Sequence, residues 1–369
     1  MNQEIAPNTI QEMWGLPLET VVCHACSRAF LKPAGSAADN CPQCSQGRLQ
    51  PFSGPVRPEP PEKIIPFAIS PSHLAARFTR FCEGVWLSAP DFSPQHLAQR
   101  ALPIYFPLWL VDAAAQGTWQ AEAGFDYQVQ STKEIFTNGE WHTQPIQETR
   151  IRWEPRLGKI SRSYQNVAVN ALTDQEQLST ALGQYDFERA IDFDPAHASS
   201  AWLRCPDVLP EQAWPQAEMR LQQVLQTDCQ TACSAQHVRN FSVTADYSNQ
   251  NWTQLLAPAY ITYYTSDDNQ KILVALNAQS GQLYGPRLAS QKRGWKSAGI
   301  LGGIGLGIVL LAILFFLVAA VFPPISIIAS ILLITGLLLV AGAVVPAAYP
   351  WLWNRGQMEL RVFRSKDSS

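Results

Sequence analysis

Between Lys296 and Arg355 the chain runs for 58 residues without an Asp, Glu, Lys or Arg, and the Pro323-Pro324 pair divides that stretch near its middle. A helix rises about 1.5 Å per residue and a hydrocarbon core is about 30 Å thick, so roughly 20 apolar residues make one crossing. Gly299 to Phe322 and Ile325 to Val345 each meet that length. Adjacent prolines remove backbone donors and disfavour a helical residue ahead of them, which suits a turn at the far interface better than one continuous helix. The expected element is a transmembrane α-helical hairpin spanning residues 291–354. A buried core hairpin is the competing reading, and the rest of the chain is short of the protein needed to cover it.

Charge sets the expected orientation. Lys292, Arg293 and Lys296 precede the first span, and Arg355, Arg361, Arg364 and Lys366 follow the second, in a basic tail over 355–369; the turn is uncharged. Basic flanks stay on the cytoplasmic side, so both termini are expected there. Trp295, Tyr349, Trp351 and Trp353 are the aromatics expected at headgroup level. Residues 1–14 carry Glu4 and Glu12 and no long apolar run, so no secretory signal is expected and the chain ahead of the hairpin stays in the cytoplasm. The expected location is the bacterial inner (cytoplasmic) membrane, as a multi-pass protein.

Cys23-His24-Ala25-Cys26 and, after fourteen residues, Cys41-Pro42-Gln43-Cys44 form two knuckles. Such spacing brings four thiolates around one Zn²⁺, and with all four positions filled by Cys23, Cys26, Cys41 and Cys44 the metal is expected to be structural. Redox dithiols and fortuitous cysteines are the competing readings. His24 is expected to be solvated or to support the site from outside rather than to bind the metal. Residues 1–50 are thus expected to be a zinc ribbon with an N-terminal extension, too short for a sufficient core and folded by its metal. Chelation is expected to unfold residues 20–50 alone.

Nucleic acid is a weighed alternative. Residues 1–66 hold five basic and six acidic residues, whereas phosphate binding needs a basic patch. Only Phe30 and Phe52 offer stacking surface near the knuckles.

Residues 51–66 carry Pro51, Pro55, Pro58, Pro60, Pro61 and Pro66 and read as an extended, semi-rigid linker. Residues 67–290 mix helical and strand periods without βαβ alternation, so a central cytoplasmic α+β domain is expected. A helix is expected from Ser72 to Trp86, strands over 104–111, 117–130 and 134–152, and a hairpin turn at Thr137-Asn138-Gly139-Glu140. Leu209 to Gln236 reads as mostly helical after a break at Pro215. Strands are expected over 238–245, 259–265 and 271–277, then a turn at Gly281. The fold class is therefore multidomain: N-terminal zinc ribbon, central α+β domain and C-terminal transmembrane hairpin.

No phosphate-binding glycine loop, nucleophile elbow or HExxH motif occurs in the central region. Asp186, Glu188, Asp192 and Asp194 lack the turn glycine and closing glutamate of a calcium loop. Cys229 and Cys233 share a helix face without a second pair to complete a metal site, and Cys82 and Cys205 stand alone. The chain is not expected to be an enzyme; a catalytic site assembled from distant residues stays open.

Several ordered segments resemble an uncharacterised family of bacterial membrane proteins that combine a TFIIB-type zinc ribbon with a C-terminal transmembrane hairpin, often labelled primosomal replication factor Y helicase-like. They are the four-cysteine ribbon, Ile65-Pro66-Phe67, Tyr105 to Asp112 (YFPLWLVD), Leu256 to Tyr260 (LAPAY), Leu276 to Leu283 (LNAQSGQL), Lys292-Arg293 and the terminal spans. Leu108-Trp109 stands where the family tends to have Phe-Trp, and Tyr260 where it tends to have Trp. No Walker-type loop accompanies the helicase label. The resemblance implies a non-enzymatic membrane anchor or adaptor whose protein partners include SPFH-like or phage-shock-type membrane-stress proteins. The alternative is a membrane-tethered nucleic-acid-binding ribbon. Gly299, Gly303 and Gly307 share one face of the first span; packing on the second span is the default, and homo-oligomer contact is the alternative.

Overall fold

The computed structural model describes residues 7–36, 40–52, 57, 59–137 and 139–360. Its strands are β1 (Leu18–Cys23), β2 (Ala29–Pro33), β3 (Leu49–Pro51), β4 (Lys63–Ile64), β5 (Leu102–Thr137), β6 (Glu140–Asn170), β7 (Ile191–Asp192), β8 (Trp202–Arg204), β9 (His237–Thr265), β10 (Lys271–Asn277) and β11 (Leu283–Tyr284). The helices are α1 (Pro7–Trp14), α2 (Leu74–Cys82), α3 (Pro94–Gln99), α4 (Gln175–Leu182), α5 (Pro195–Ala198), α6 (Pro210–Ala232), α7 (Gln291–Ala319), α8 (Ile325–Gly342) and α9 (Val344–Gln357). The strands follow the order β11-β10-β9-β5-β8-β2-β1-β3, with β6 on β5 and β4 on β7 and β9. Strand β5 runs parallel to β8, whereas β1–β2, β1–β3, β2–β8, β4–β7, β5–β6, β9–β10 and β10–β11 pair antiparallel, which makes the sheet mixed. Asn138, Asp39, Pro55, Pro58, Glu4 and the basic tail from Arg361 lie outside the described residues.

Two compact units form, each discontinuous in sequence: residues 1–107, 174–205 and 256–369, and residues 108–173 and 206–255. In the first unit the cysteine-bearing strands belong to the sheet. Phe30 and Leu31 of β2 pair with Arg204 and Leu203 of β8. Trp14, Leu18 and Leu31 are buried in one core with Ile64, Tyr105, Leu203 and Leu256. The stretch read as a semi-rigid linker contributes β4, whose Lys63 and Ile64 pair with Asp192 and Ile191, and the fully buried Ile64 holds it to the sheet. A second core gathers Phe78 of α2 and Leu97 of α3 onto Tyr260, Tyr264 and Leu276. Helix α2 stops at Cys82, before the Gly84 left-handed turn (φ +79°), which shortens the helix expected to reach Trp86.

The second unit is built on a ladder of β5 and β6 running from Leu108↔Asn170 to Thr137↔Glu140. Expected gaps in β5 and β9 are absent: the strands read over 104–111 and 117–130 fuse in β5, and those read over 238–245 and 259–265 fuse in β9. Only the step from Val111 to Ala113 breaks register. There the Asp112 carboxylate accepts the Asn166 N–H at 2.8 Å, and Asn166 has φ +56°. One strand gains a residue over the other without flipping the faces beyond it. Helix α6 continues through Pro215 because its buried stripe, Ala213, Ala217, Leu221, Leu225 and Cys229, secures it on the sheet at four-residue spacing. The loss of one backbone donor near the helix start is small beside that burial.

Among the described residues two helical stretches are long and apolar enough to cross a membrane, α7 (Gln291–Ala319) and the run of α8 and α9 (Ile325–Gln357), and only 11% of each apolar window is buried. The core helix of a soluble protein is mostly buried, and these are not. Pro323-Pro324 lies in the turn, with Pro324 capping α8. Along the seam, Gly305 and Ala312 of α7 and Ala329 and Gly336 of α8 are buried. A Cβ added to Gly336 would stand 2.7 Å from Val309 Cγ2 and 2.9 Å from the Gly305 carbonyl oxygen. The default for the other glycines is corrected: nothing lies within 4 Å of a Cβ built on Gly299, Gly303 or Gly307. Gly336→Leu is expected to weaken the helix pair by about 1–3 kcal/mol through overpacking. Gly303→Leu is expected to stay within about 0.5 kcal/mol of the parent, as steric trapping in bicelles would measure.

Candidate metal centre

The first knuckle begins where β1 ends. Cys23 pairs with Leu49 of β3, and the Ser27 N–H closes the turn on the Cys23 carbonyl at 2.8 Å. The second repeats the device, with the Ser45 N–H on the Cys41 carbonyl at 3.0 Å. Ser27 (φ +57°) and Ser45 (φ +58°) hold left-handed conformations at equivalent places, which curls each Cys-x-x-Cys turn round its two sulfurs. Backbone N–H groups of Gln43 and Gly47 donate to Cys41 Sγ and Cys44 Sγ, each at 3.4 Å. Gly47 has no room for a side chain, since an added Cβ would lie 2.2 Å from Cys23 Sγ.

The Sγ atoms of Cys23, Cys26, Cys41 and Cys44 lie within 4.8 Å of one another, an arrangement compatible with a metal site. Cys23 Sγ is 3.6 Å from Cys44 Sγ, and Cys26 Sγ is 3.7 Å from Cys41 Sγ. Four sulfurs at about 2.3 Å from a tetrahedral centre stand about 3.8 Å apart, so the spacing fits a tetrathiolate ion. Protons fit it poorly. Hydrogen bonds from Cys26 and then Cys41 pull the Cys44 thiol far below its ordinary range, while Cys26, Cys44 and burial push Cys41 far above it. A divalent cation would take all four as thiolates.

His24 is not among these ligands. Its Nδ1 accepts the Arg48 backbone N–H at 3.0 Å, which ties the first knuckle to the strand entering β3.

Behind the second knuckle lies a group that sequence reading missed. Asp174 is 6% exposed and pairs with Arg28 at 2.8 Å, while Gln43, inside the Cys41–Cys44 knuckle, donates its side-chain amide to the same carboxylate. Asp174 Oδ1 and Gln43 Oε1 are buried without a partner among the described residues. The separation of 131 residues between Gln43 and Asp174 hides this contact from any spacing rule.

The remaining candidates disperse into packing. Asp186 caps Glu188 and pairs with Arg189, Asp194 caps Ala196, and Asp192 pairs with Lys63. Cys229 is buried in a core with Ala115 and Leu225, Cys205 lies in the first unit's core, and burial pushes the Cys82 thiol up to about 11. Phe30 is fully buried against Trp202 and offers no face for stacking a base, and Phe52 is partly buried against the first unit's core.

No family model matches this chain, and no solved structure matches it. Over 259 residues it is 22% identical to the uncharacterized protein YdjG of Bacillus subtilis (strain 168), covering 69% of this chain and 72% of that protein.

Proposed function

We propose that the chain is a non-enzymatic adaptor of the bacterial cytoplasmic membrane, with α7 and α8 inserted as a hairpin, both termini cytoplasmic, and Zn²⁺ held by Cys23, Cys26, Cys41 and Cys44 as a structural ribbon. One observation carries this reading: the four-cysteine module is built into the same compact unit that ends in the apolar helices. A platform of that kind holds its surface at a fixed place beside the bilayer and raises the local concentration of whatever docks there. Basic flanks and an uncharged turn support the orientation. A structural role for perturbed groups supports the non-enzymatic part. At Asp91 burial opposes ionisation, yet the Arg100 guanidinium and the Thr265 N–H overcome it and hold the carboxyl at about 2. Burial raises Tyr105, Tyr260 and Tyr264, the opposite direction from Asp91 but likewise a consequence of packing.

The resemblance directs the partner reading toward SPFH-like or phage-shock-type membrane proteins. Affinity capture of the full chain from crosslinked membranes tests it against Cys23→Ser/Cys26→Ser. Capture of such a protein by the parent, lost in the variant while membrane insertion persists, is the expected result. Salt-dependent binding of DNA by the full chain, with no such protein captured, would replace this reading with the nucleic-acid one.

A further inference from the structure

The loop from Glu83 to Ser88 has no part in the cysteine centre, yet it is fastened to both feet of the apolar hairpin. At the first foot the Ser290 N–H donates to the Leu87 carbonyl at 2.7 Å, Arg293 Nη1 to the Ser88 carbonyl at 3.0 Å, and Arg287 Nη1 to the Glu83 carbonyl at 3.4 Å. At the second foot the Trp86 N–H donates to the Tyr349 hydroxyl at 3.3 Å, and the two rings meet edge to face with centroids 5.1 Å apart. The feet are also tied to each other. Trp353 Nε1 donates to the Arg287 carbonyl at 2.6 Å, and the Asn354 amide exchanges two hydrogen bonds with the Ala289 backbone. Gly84 (φ +79°) and Leu87 (φ +55°) supply the left-handed turns that bring the loop into this gap.

Those contacts fix the depth of Trp86. Tyr349 lies four residues beyond Val345, about 6 Å along a helix from the end of the second apolar span, and Trp295 lies the same distance before Gly299 at the start of the first. Aromatic rings with one polar edge settle at that level of a bilayer. Trp86 packs on Tyr349 and still leaves 49% of its surface open, while Trp295 is 63% and Trp351 58% exposed. Lys296 and Arg355 are exposed in the same zone, Arg355 over the Trp351 ring.

We propose that the Glu83–Ser88 loop enters the headgroup layer beside the hairpin, with Trp86 as its inserted side chain, and so makes the bilayer surface a third attachment of the first unit. The occupant is anionic phospholipid: the ring is amphipathic, Lys296 and Arg355 complement negative headgroups, and the surface continues that of the spans. This rests on the membrane reading of α7 and α8, and the test separates the two.

The unaltered full chain is reconstituted in vesicles of phosphatidylglycerol and phosphatidylethanolamine containing a phospholipid with a photoactivatable headgroup, and adducts are mapped by mass spectrometry. Adducts at Trp86 as well as at Trp295 and Trp351 are expected, and Trp86→Ser should reduce labelling of the loop severalfold while labelling at the feet persists. Adducts at the feet with none on residues 83–88 overturn the proposal and leave the hairpin reading intact. Absence of adducts from the feet too sinks the hairpin reading and the proposal together. Crosslinking of the loop to a protein in native membranes, with no lipid adduct, assigns it to a protein interface and overturns the proposal as well.

Discussion

Cys41→Ser, or removal of the metal with a strong chelator, is expected to loosen the whole first unit rather than residues 20–50 alone. Apparent zinc-binding free energies in small tetrahedral sites are about 10–16 kcal/mol, as large as the entire stability of an ordinary domain. A separately folded knob would absorb that loss by itself. Here Leu31 of β2 is hydrogen-bonded to Leu203 and shares a core with Ile64, Tyr105 and Leu256. Disorder at the knuckles therefore exposes one wall of that core. Hydrogen exchange on the full chain in nanodiscs measures it: amides of Trp202 to Arg204 and of Ile65 should lose protection when the metal leaves. Unchanged protection there, in protein verified as metal-free, would show that the module melts independently.

Asp174→Ala is expected to cost about 3–5 kcal/mol, because it leaves Arg28 without its buried counter-charge and the Gln43 amide without its acceptor. The side chain of Arg28 is 22% exposed, so water recovers part of the loss and the lower end of that range applies. Gln43 stands between Cys41 and Cys44, and disturbing such a support typically weakens metal affinity about 10–100-fold. Thermal denaturation combined with competition by a chromophoric chelator reads both effects. Arg28→Ala/Asp174→Ala should recover part of the stability, since it removes both charges. A single variant as stable as the parent, with unaltered metal competition, would reduce Asp174 to a bystander.

These two expectations mark where sequence reading succeeded and where it stopped. Four cysteines in paired turns announce their own cluster, because each ligand pair is local and the spacing needs no knowledge of the rest of the fold. The absence of charge from 297 to 354 likewise announces two apolar helices, and the double proline their turn. The attachment of the cysteine module was not legible. It depends on a two-residue strand at Lys63-Ile64, hidden among prolines, and on β8, three residues long and entirely buried. Short buried strands carry no alternation to read. Glycine spacing misled for a related reason: Gly299, Gly303 and Gly307 form a clear stripe, but close approach occurs at Gly305 and Gly336, where the seven-residue steps to Ala312 and Ala329 keep small residues in register. Pro215 and the small residues near Ala113 look like interruptions, and packing overrides both. The quoted family segments became packing pieces: Trp109 donates its indole N–H to the Val208 carbonyl at 2.8 Å, and the Tyr260 hydroxyl to that of Ile69 at 2.8 Å.

The ladder between β5 and β6 constrains how the gene can drift. Successive residues on each strand face opposite ways, so an odd insertion between Asp112 and Thr137 turns every later side chain over and puts Arg156 or Glu154 where its neighbour stood. Tolerated indels in this arm should come in pairs, one codon pair to a strand, while single-codon changes survive only next to the irregularity at Asp112 or at the far turn.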